Sequence, residues 1–339
     1  METNCQSILS PFARIMTPPP LVSVLIPSYN HAPYLTERIK SIIYQTYQNY
    51  ELIIIDDHSN DGSKEILSTL KALHSFEYID NKKNSGTPFS AWERIGKIAK
   101  GQYIWICESD DVADPLFLEG AIARLINNPA AVLFYSNSWV IDASSKVVGD
   151  TEKYFHENWN TDRWKQDFSS SGLSELTAYQ ISGQTVPNMS SAVIRSDAFR
   201  SAFTPYLKSF RLTGDWIFIG DVMRFGDVEF CHEKLSYFRM HEQTSRVRVQ
   251  SARSQAEFIL TKFWLFKRSN LHFKDFAFVM RSDVIRFLYE SESWWSVLRV
   301  AIKISCLETM QCAVMLLAST IFNPFYFKKF MERYRHAKH

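Results

Sequence analysis

The sequence predicts an α/β protein, a mostly parallel sheet flanked by helices, with a helical extension at its C-terminal end. Three observations predict it. Short apolar runs alternate with stretches whose apolar residues recur at helical spacing, the order that builds a parallel sheet covered by helices. The runs at residues 22–26, 51–55 and 103–106 are apolar almost throughout, as strands buried on both faces are. After about residue 250 the strand pattern stops and helical spacing takes over, at Phe258, Ile259, Phe263 and Phe266 first.

The elements follow in order. Thr17-Pro18-Pro19-Pro20 reads as a stiff extended lead-in, and residues 1–20 as a loose arm without the charged start, apolar core and cleavage site of a signal peptide. A first strand closes at Pro27 and opens into the loop Ser28-Tyr29-Asn30-His31. Leu35, Ile39, Ile42 and Ile43 mark a helix over 33–47. A second strand ends in Asp56-Asp57-His58-Ser59, and Asp61 can cap the helix carrying Ile66, Leu67, Leu70 and Leu73. A short strand near 76–79 leads to Asn84-Ser85-Gly86, a helix over about 88–99 stops at Gly101, and the next strand runs into Glu108-Ser109-Asp110-Asp111. Asp114-Pro115 opens a helix to about Asn127, and residues 131–135 form a further strand. The predicted organisation is an arm (1–20), an α/β domain (21–248) and a helical region with a basic tail (249–339).

Ligands of open α/β sheets bind beyond the carboxyl ends of the strands, where these polar loops lie. Three acids within four residues repel one another unless a cation sits between them. Mg²⁺ or Mn²⁺ carrying a nucleotide diphosphate suits such a place. On that reading Asp57 accepts from a base ring N–H, the 28–30 loop packs on the base, Asp110 reaches the ribose and Asp111 the metal. A carboxylate facing a cleft carries little of the fold, so Asp111 is expected to be dispensable for stability. The plainer reading makes the cluster a solvated loop, and Asp57, Tyr29 and Asn30 ordinary turn residues.

Taken together, residues 24–30 (Val-Leu-Ile-Pro-Ser-Tyr-Asn), residues 54–62 (Ile-Ile-Asp-Asp-His-Ser-Asn-Asp-Gly), Asn84-Ser85-Gly86, and Gly101 to Trp105 leading to Glu108-Ser109-Asp110-Asp111 resemble the family 2 glycosyltransferases with a GT-A fold. Order and spacing match over about residues 20–130. The resemblance implies an inverting transferase using a nucleotide-diphosphate sugar, with a uridine diphosphate sugar as the default, and a divalent metal, Mn²⁺ or Mg²⁺. It places Pro27, Tyr29, Asn30, Asp57, Asn84, Gly86 and Asp110 in nucleotide-sugar binding and makes Asp111 the direct metal ligand. Glu108 stands where many members have Asp, and Arg94 where many have Asn, so Arg94 carries no role.

In the second half, Trp139, Tyr154, Phe155, Trp159, Trp164 and Phe168 are either an acceptor-side surface or core over the sheet. Residues 188–194 form a strand-like run returning to the sheet, where the family lines its donor-sugar pocket. Asp215 opens the apolar helix 217–225. It is either a helix cap or the general base that takes the acceptor hydroxyl proton. Members commonly read Glu-Asp here and this chain reads Gly214-Asp215, so Asp215 is the one local candidate. Asp221 and Asp227 are expected at the surface. After strands at 228–231 and 235–239, the Arg239-Met240-His241 segment matches the family's Arg-x-His. Both side chains share one face of an extended segment, Arg239 for a phosphate and His241 for the metal or diphosphate. A satisfied buried histidine is the alternative for His241.

Composition narrows the rest. With 339 residues, a net charge of +2 and no nucleic-acid-binding motif, nucleic acid is not an expected partner. Five scattered cysteines argue for a reducing compartment. Residues 309–322 are apolar but shorter than the ~20 residues of a bilayer span. With the basic tail after 325 they form either an interfacial contact with anionic membrane or a helical cap with a solvated tail. The expectation is a cytoplasmic transferase serving cell-surface polysaccharide or lipopolysaccharide synthesis, with a glycan or lipid-linked acceptor. A sugar-1-phosphate nucleotidyltransferase is an alternative, but Pro27-Ser28-Tyr29-Asn30 is not its Gly-rich phosphate loop. A non-catalytic binding protein is the other, and the acids at Asp111 and Asp215 argue against it.

Overall fold

The computed structural model describes residues 18–241, 252–272, 275, 276 and 279. The loose arm falls almost wholly outside the described residues, and so do the later C-terminal helices, the apolar segment 309–322 and the basic tail. By packing, the described chain forms two units. The first comprises residues 18–172, 186–202 and 225–241, and the second residues 173–185, 203–224 and the described residues after 241.

The first unit is the α/β sheet. Four parallel strands, β3 (Glu77–Asp80), β2 (Tyr50–Asp56), β1 (Val22–Ser28) and β4 (Tyr103–Ile106), lie side by side in that order. Every residue of β1 and β4 is buried, which is why both read as unbroken apolar runs. The register pairs Ser28 with Asp56, and Asp56 with Asp80, so the loops after these strands emerge on one edge. Helices α1 (Ala32–Ile43), α2 (Ser63–Leu73), α3 (Phe89–Ile98) and α4 (Phe117–Asn127) connect the strands. Their buried stripes carry residues such as Ile39, Ile42, Leu67, Trp92 and Leu118, each worth ~1.5–3 kcal/mol when fully buried.

The sheet continues as β9 (Ala192–Arg195), β6 (Ala131–Ile141), β10 (Asp227–Arg239) and the short β5 (Val112–Ala113). β9 runs antiparallel between β4 and β6, while β6 and β10 are parallel. β7 (Val147–Asp150) and β8 (Phe168–Ser171) pair with β6 and β10, α5 (Thr151–Trp159) follows β7, and α7 (Ser196–Ala202) follows β9.

Several boundaries differ from the sequence expectation for physical reasons. Residues 228–231 and 235–239 are one strand, β10, with register irregularities around Lys234 where His232 and Glu233 turn outward. β6 runs past Tyr135 because its polar Ser136, Asn137 and Ser138 are buried, and Asn137 Nδ2 donates to the Trp164 and His232 carbonyls. Asp61 is one residue before the cap position of α2. It accepts from the Ser63 N–H at 3.1 Å, and from the Ala32 N–H at 2.9 Å at the start of α1. Gly101 does not cap α3, which ends at Ile98 with Ala99 at the cap position; a Cβ on Gly101 would lie 2.5 Å from the Ser23 backbone nitrogen. Phe155 and Trp164 are core rings stacked at 4.6 Å, whereas Trp139, Tyr154, Trp159 and Phe168 are half-buried.

The second unit is helical. A single turn, α6 (Gly172–Glu175), runs into a π-helical turn, Leu176–Gln180; α8 (Gly214–Val222) and α9 (Ala252–Phe266) complete it. α8 is apolar all round and buried apart from half-buried Asp215, as a helix without a polar face must be. A Cβ on its Gly220 would come within 2.2 Å of Leu265 Cδ2 on α9, so a larger residue there would have to displace that side chain. Asp221 is not at the surface as expected. It is buried, paired with Arg268 at 2.7 Å and accepting from Trp264 Nε1 at 2.8 Å. Among the described residues no helix is long and apolar enough to cross a membrane.

Candidate active site

On the sheet edge, two adjacent acids after β2 divide their work. Asp56 is fully buried and accepts from the Ser59 N–H (2.8 Å) and hydroxyl (2.6 Å). Asp57 stays half-buried and accepts from Asn81 Nδ2, the Ser85 N–H and the Ser85 hydroxyl, all at 2.8–2.9 Å. It therefore holds the loop of Asn84 and Gly86, in which Gly86 sits at φ +77 and donates its N–H to Asn84 Oδ1. Asn30, at φ 54, ties the first loop to the second, donating to Ser59 Oγ and accepting from the Asn60 N–H, each at 2.9 Å. Pro27 is a buried strand residue, while Tyr29 is exposed beside it.

After β4 the acids again diverge. Asp111 is 2% exposed and accepts from Ser190 Oγ (2.6 Å) and the Arg239 N–H (2.8 Å). Burial first, and then the neighbouring Asp110 charge, push its carboxyl up to about 7, against the pull of Arg38. Asp111 thus joins β10 and the segment before β9 to the cluster, buried where the sequence reading expected a cleft-facing carboxylate. Asp110 is half-buried, and its Oδ2 lies 3.0 Å from His241 Nε2. Burial pushes Asp110 up, but the His241 hydrogen bond and the His31 charge outweigh it and hold the carboxyl below its ordinary value. His31, Asp110 and His241 each bring one ligand atom within 4.8 Å of the others, a donor set fit for a divalent cation. Asp110, rather than Asp111, is the acid of that group. Glu108, half-buried, donates its N–H to Ser190 Oγ.

Arg239 and His241 both reach Asp110, as their shared face predicts: Arg239 Nε donates to the Asp110 carbonyl at 2.6 Å. The guanidinium, however, is not displayed for a phosphate. It is fully buried and donates to the Asp142 carbonyl, Ser145 Oγ and Glu37 Oε2, over the Tyr34 ring at 4.8 Å.

Sequence reasoning passed over Arg38, Ser190 and His31. Arg38 is fully buried, 5.3 Å over the Trp105 ring and beside Asp111 and Cys107, and its guanidinium nitrogens find no hydrogen-bond partner among the described residues. A signal was present: Arg38 occupies the apolar stripe of α1 with Leu35, Ile39 and Ile42. A cation on that stripe calls for compensation, and the Asp111 and Cys107 side chains lie near it, with the Trp105 ring against it. Burial lowers the His31 pKa more than Asp110 raises it.

In the second unit, Asp215 lies in the first turn of α8, with Thr213 at the cap position. It is half-buried, accepts from Gln184 Nε2 at 3.1 Å, and contacts the Trp216 N–H at 2.8 Å. The loop before it is held by Glu257 of α9. This fully buried carboxylate accepts the N–H groups of Arg211 (3.0 Å), Leu212 (2.8 Å) and Thr213 (3.4 Å), with Arg253 at 2.8 Å. No sequence pattern announced Glu257, because its partners are backbone groups some 45 residues away.

Residues 23–174 match the family described as Glycosyl transferase family 2. Over those residues, somewhat under half of the chain, the protein is similar to that family. Other comparisons agree. A glycosyltransferase of Haemophilus influenzae is 28% identical over 231 residues, covering 67% of this chain and 68% of that one. A putative teichuronic acid biosynthesis glycosyltransferase of Bacillus subtilis, TuaG, is 33% identical over 138 residues, 40% of this chain and 53% of its own. Among solved structures, S. aureus TarS 1–349 in complex with UDP-GlcNAc superposes with a TM-score of 0.58 at 15% identity, over 79% of this chain and 73% of that one. The Pyrobaculum calidifontis mannosyltransferase PcManGT, in complex with GDP-Man and Mn²⁺, gives 0.54 at 14%, over 93% and 84%. These likenesses establish the GT-A fold of the transferase. The chain spans 44% of the longer TarS chain and about half of TuaG.

Proposed function

We propose that this transferase moves a sugar from a nucleoside diphosphate donor, by default a uridine diphosphate sugar, to a hydroxyl of a glycan or lipid-linked acceptor in cell-surface polysaccharide or lipopolysaccharide synthesis. The observation that carries the reading is the Asp110–His241 pair on the same sheet edge as half-buried Asp57. Solved neighbours with UDP-GlcNAc and with GDP-Man support a nucleotide-sugar donor, and the likeness to TuaG supports the pathway class. Asp57 takes a base N–H, and Asn30, Asn84 and Gly86 shape the loops around it. Asp110 and His241 hold the divalent cation. When bound, Mn²⁺ or Mg²⁺ supplies Lewis-acid stabilisation of the departing diphosphate. Asp215 takes the acceptor hydroxyl proton as that oxygen bonds to the anomeric carbon and the bond to diphosphate breaks, which inverts the centre. In support of this, its carboxylate is half-exposed at the start of α8 and does not fill the cap position.

The test is thermal stabilisation by a panel of nucleotide sugars, with and without Mn²⁺. The expected result is a rise in Tm with a UDP-sugar that needs the metal. Stabilisation by a sugar 1-phosphate with a nucleoside triphosphate, and by no nucleotide sugar, would instead indicate a nucleotidyltransferase.

A further inference from the structure

The metal reading leaves His31 unexplained. It lies in the loop between β1 and α1, where ordinary turn chemistry would place a solvated residue. Instead its ring is half-buried and grouped with Asp110, 79 residues further along the chain, and His241, a further 131 residues on. Its Nδ1 lies 2.7 Å from Ser109 Oγ, and Ser109 is buried. In the tautomer in which Nδ1–H donates to Ser109 Oγ, the ring has the support that metal-binding imidazoles show, and the Nε2 lone pair is left for a cation. The rings are also confined, with Tyr34 at 6.1 Å from His31 and 5.1 Å from His241, and the two imidazoles edge-on at 5.7 Å. Donors on one cation at about 2.1 Å stand roughly 3–4 Å apart. The 4.8 Å limit of the group therefore closes by a modest side-chain rotation.

We infer that His31 is a third protein ligand, so that the centre holds two imidazoles and one carboxylate and selects Mn²⁺ over Mg²⁺. The inference rests on the proposed metal role of Asp110 and His241. Imidazole favours transition metals, whereas Mg²⁺ favours oxygen donors and sheds its water reluctantly. Binding Mg²⁺ here would exchange two waters for two nitrogens, a poor trade for a hard cation. His31 also ties the cation to the loop that carries Tyr29 and Asn30, so metal binding would order the donor-side loop.

The experiment uses the full chain with UDP, titrated with Mn²⁺ by electron paramagnetic resonance and challenged with Mg²⁺, alongside pulsed measurement of nitrogen couplings to the bound ion. The variant is His31→Asn. Its amide keeps an N–H near the Nδ1 position for Ser109, removes Nε2, and suits the cap position of α1 that His31 occupies; a thermal melt checks the fold. The expected result is nitrogen coupling from two imidazoles in the wild type and one in the variant. Mn²⁺ affinity should fall at least tenfold, Mg²⁺ affinity should fall less, and the Mn²⁺ preference should shrink. One imidazole in the wild type, with equal Mn²⁺ affinity in both proteins, overturns the inference and leaves the Asp110–His241 reading standing. No Mn²⁺ binding to the wild type overturns both.

Discussion

The sheet edge of the first unit and the α8 start of the second present carboxylates in the same arrangement, built by different means. At the sheet edge, Asp111 is buried and accepts the Arg239 N–H, while the Asp110 side chain keeps 15% of its surface exposed. At α8, buried Glu257 accepts the N–H groups of residues 211–213 and leaves Asp215 half-exposed. After β2 both acids fasten backbone, Asp56 through the Ser59 N–H and Asp57 through the Ser85 N–H. At the sheet edge after β4 and at the start of α8, one carboxylate is buried against backbone N–H groups and a second stays partly exposed. The difference lies in where the fastener comes from. In the sheet it is the adjacent residue, so two acids read together in the sequence. In the helical unit it comes from α9, so Asp215 reads alone beside Gly214.

If that division holds, replacing a working acid should cost rate and replacing a fastener should cost order. Asp215→Asn gives the largest expected change. Turnover should fall by about 10²–10⁴-fold, the usual contribution of a general base. The melting temperature and the donor Kd should move little. Near-wild-type turnover in steady-state assays would remove Asp215 from the chemistry and break the parallel.

Glu257→Gln should have a smaller and different effect. A neutral amide oxygen replaces a carboxylate that accepts three backbone N–H groups and pairs with Arg253. Hydrogen bonds to charged groups are worth about 1.5–3 kcal/mol each, and the amide keeps part of that. We expect a loss of about 2 kcal/mol in denaturant unfolding, and a fall in kcat without change in donor Kd. Unchanged stability with unchanged kcat would show that α9 does not set the Asp215 loop.

How much of this was legible depends on distance along the chain. The parallel strands were legible because burial on both faces leaves continuous apolar runs, as in residues 22–26 and 103–106. The acids at strand ends were legible because sheet edges collect ligands. The roles within each pair were not. Asp110 and Asp111 are identical in composition, and which one turns inward follows from Ser190 and Arg239, 79 and 128 residues away. Arg239 reads as a phosphate grip because exposed and buried arginines look alike in a sequence; only Glu37, Asp142 and Ser145 reveal its internal role. β6 was read too short because buried Asn137 and Ser138 mimic the polar end of a strand.

The most direct test of the division is to compare Asp110→Asn with Asp111→Ala, measuring Mn²⁺ binding in the presence of UDP and thermal unfolding on the same preparations. Asp110→Asn should lose Mn²⁺ binding and melt close to wild type. Asp111→Ala orphans the Arg239 N–H and the buried Ser190 hydroxyl, at about 1–3 kcal/mol each, and should melt roughly 10 °C lower at 2–4 °C per kcal/mol. The opposite pattern, with Asp111→Ala melting like wild type but unable to bind Mn²⁺ while Asp110→Asn binds it normally, would contradict the account.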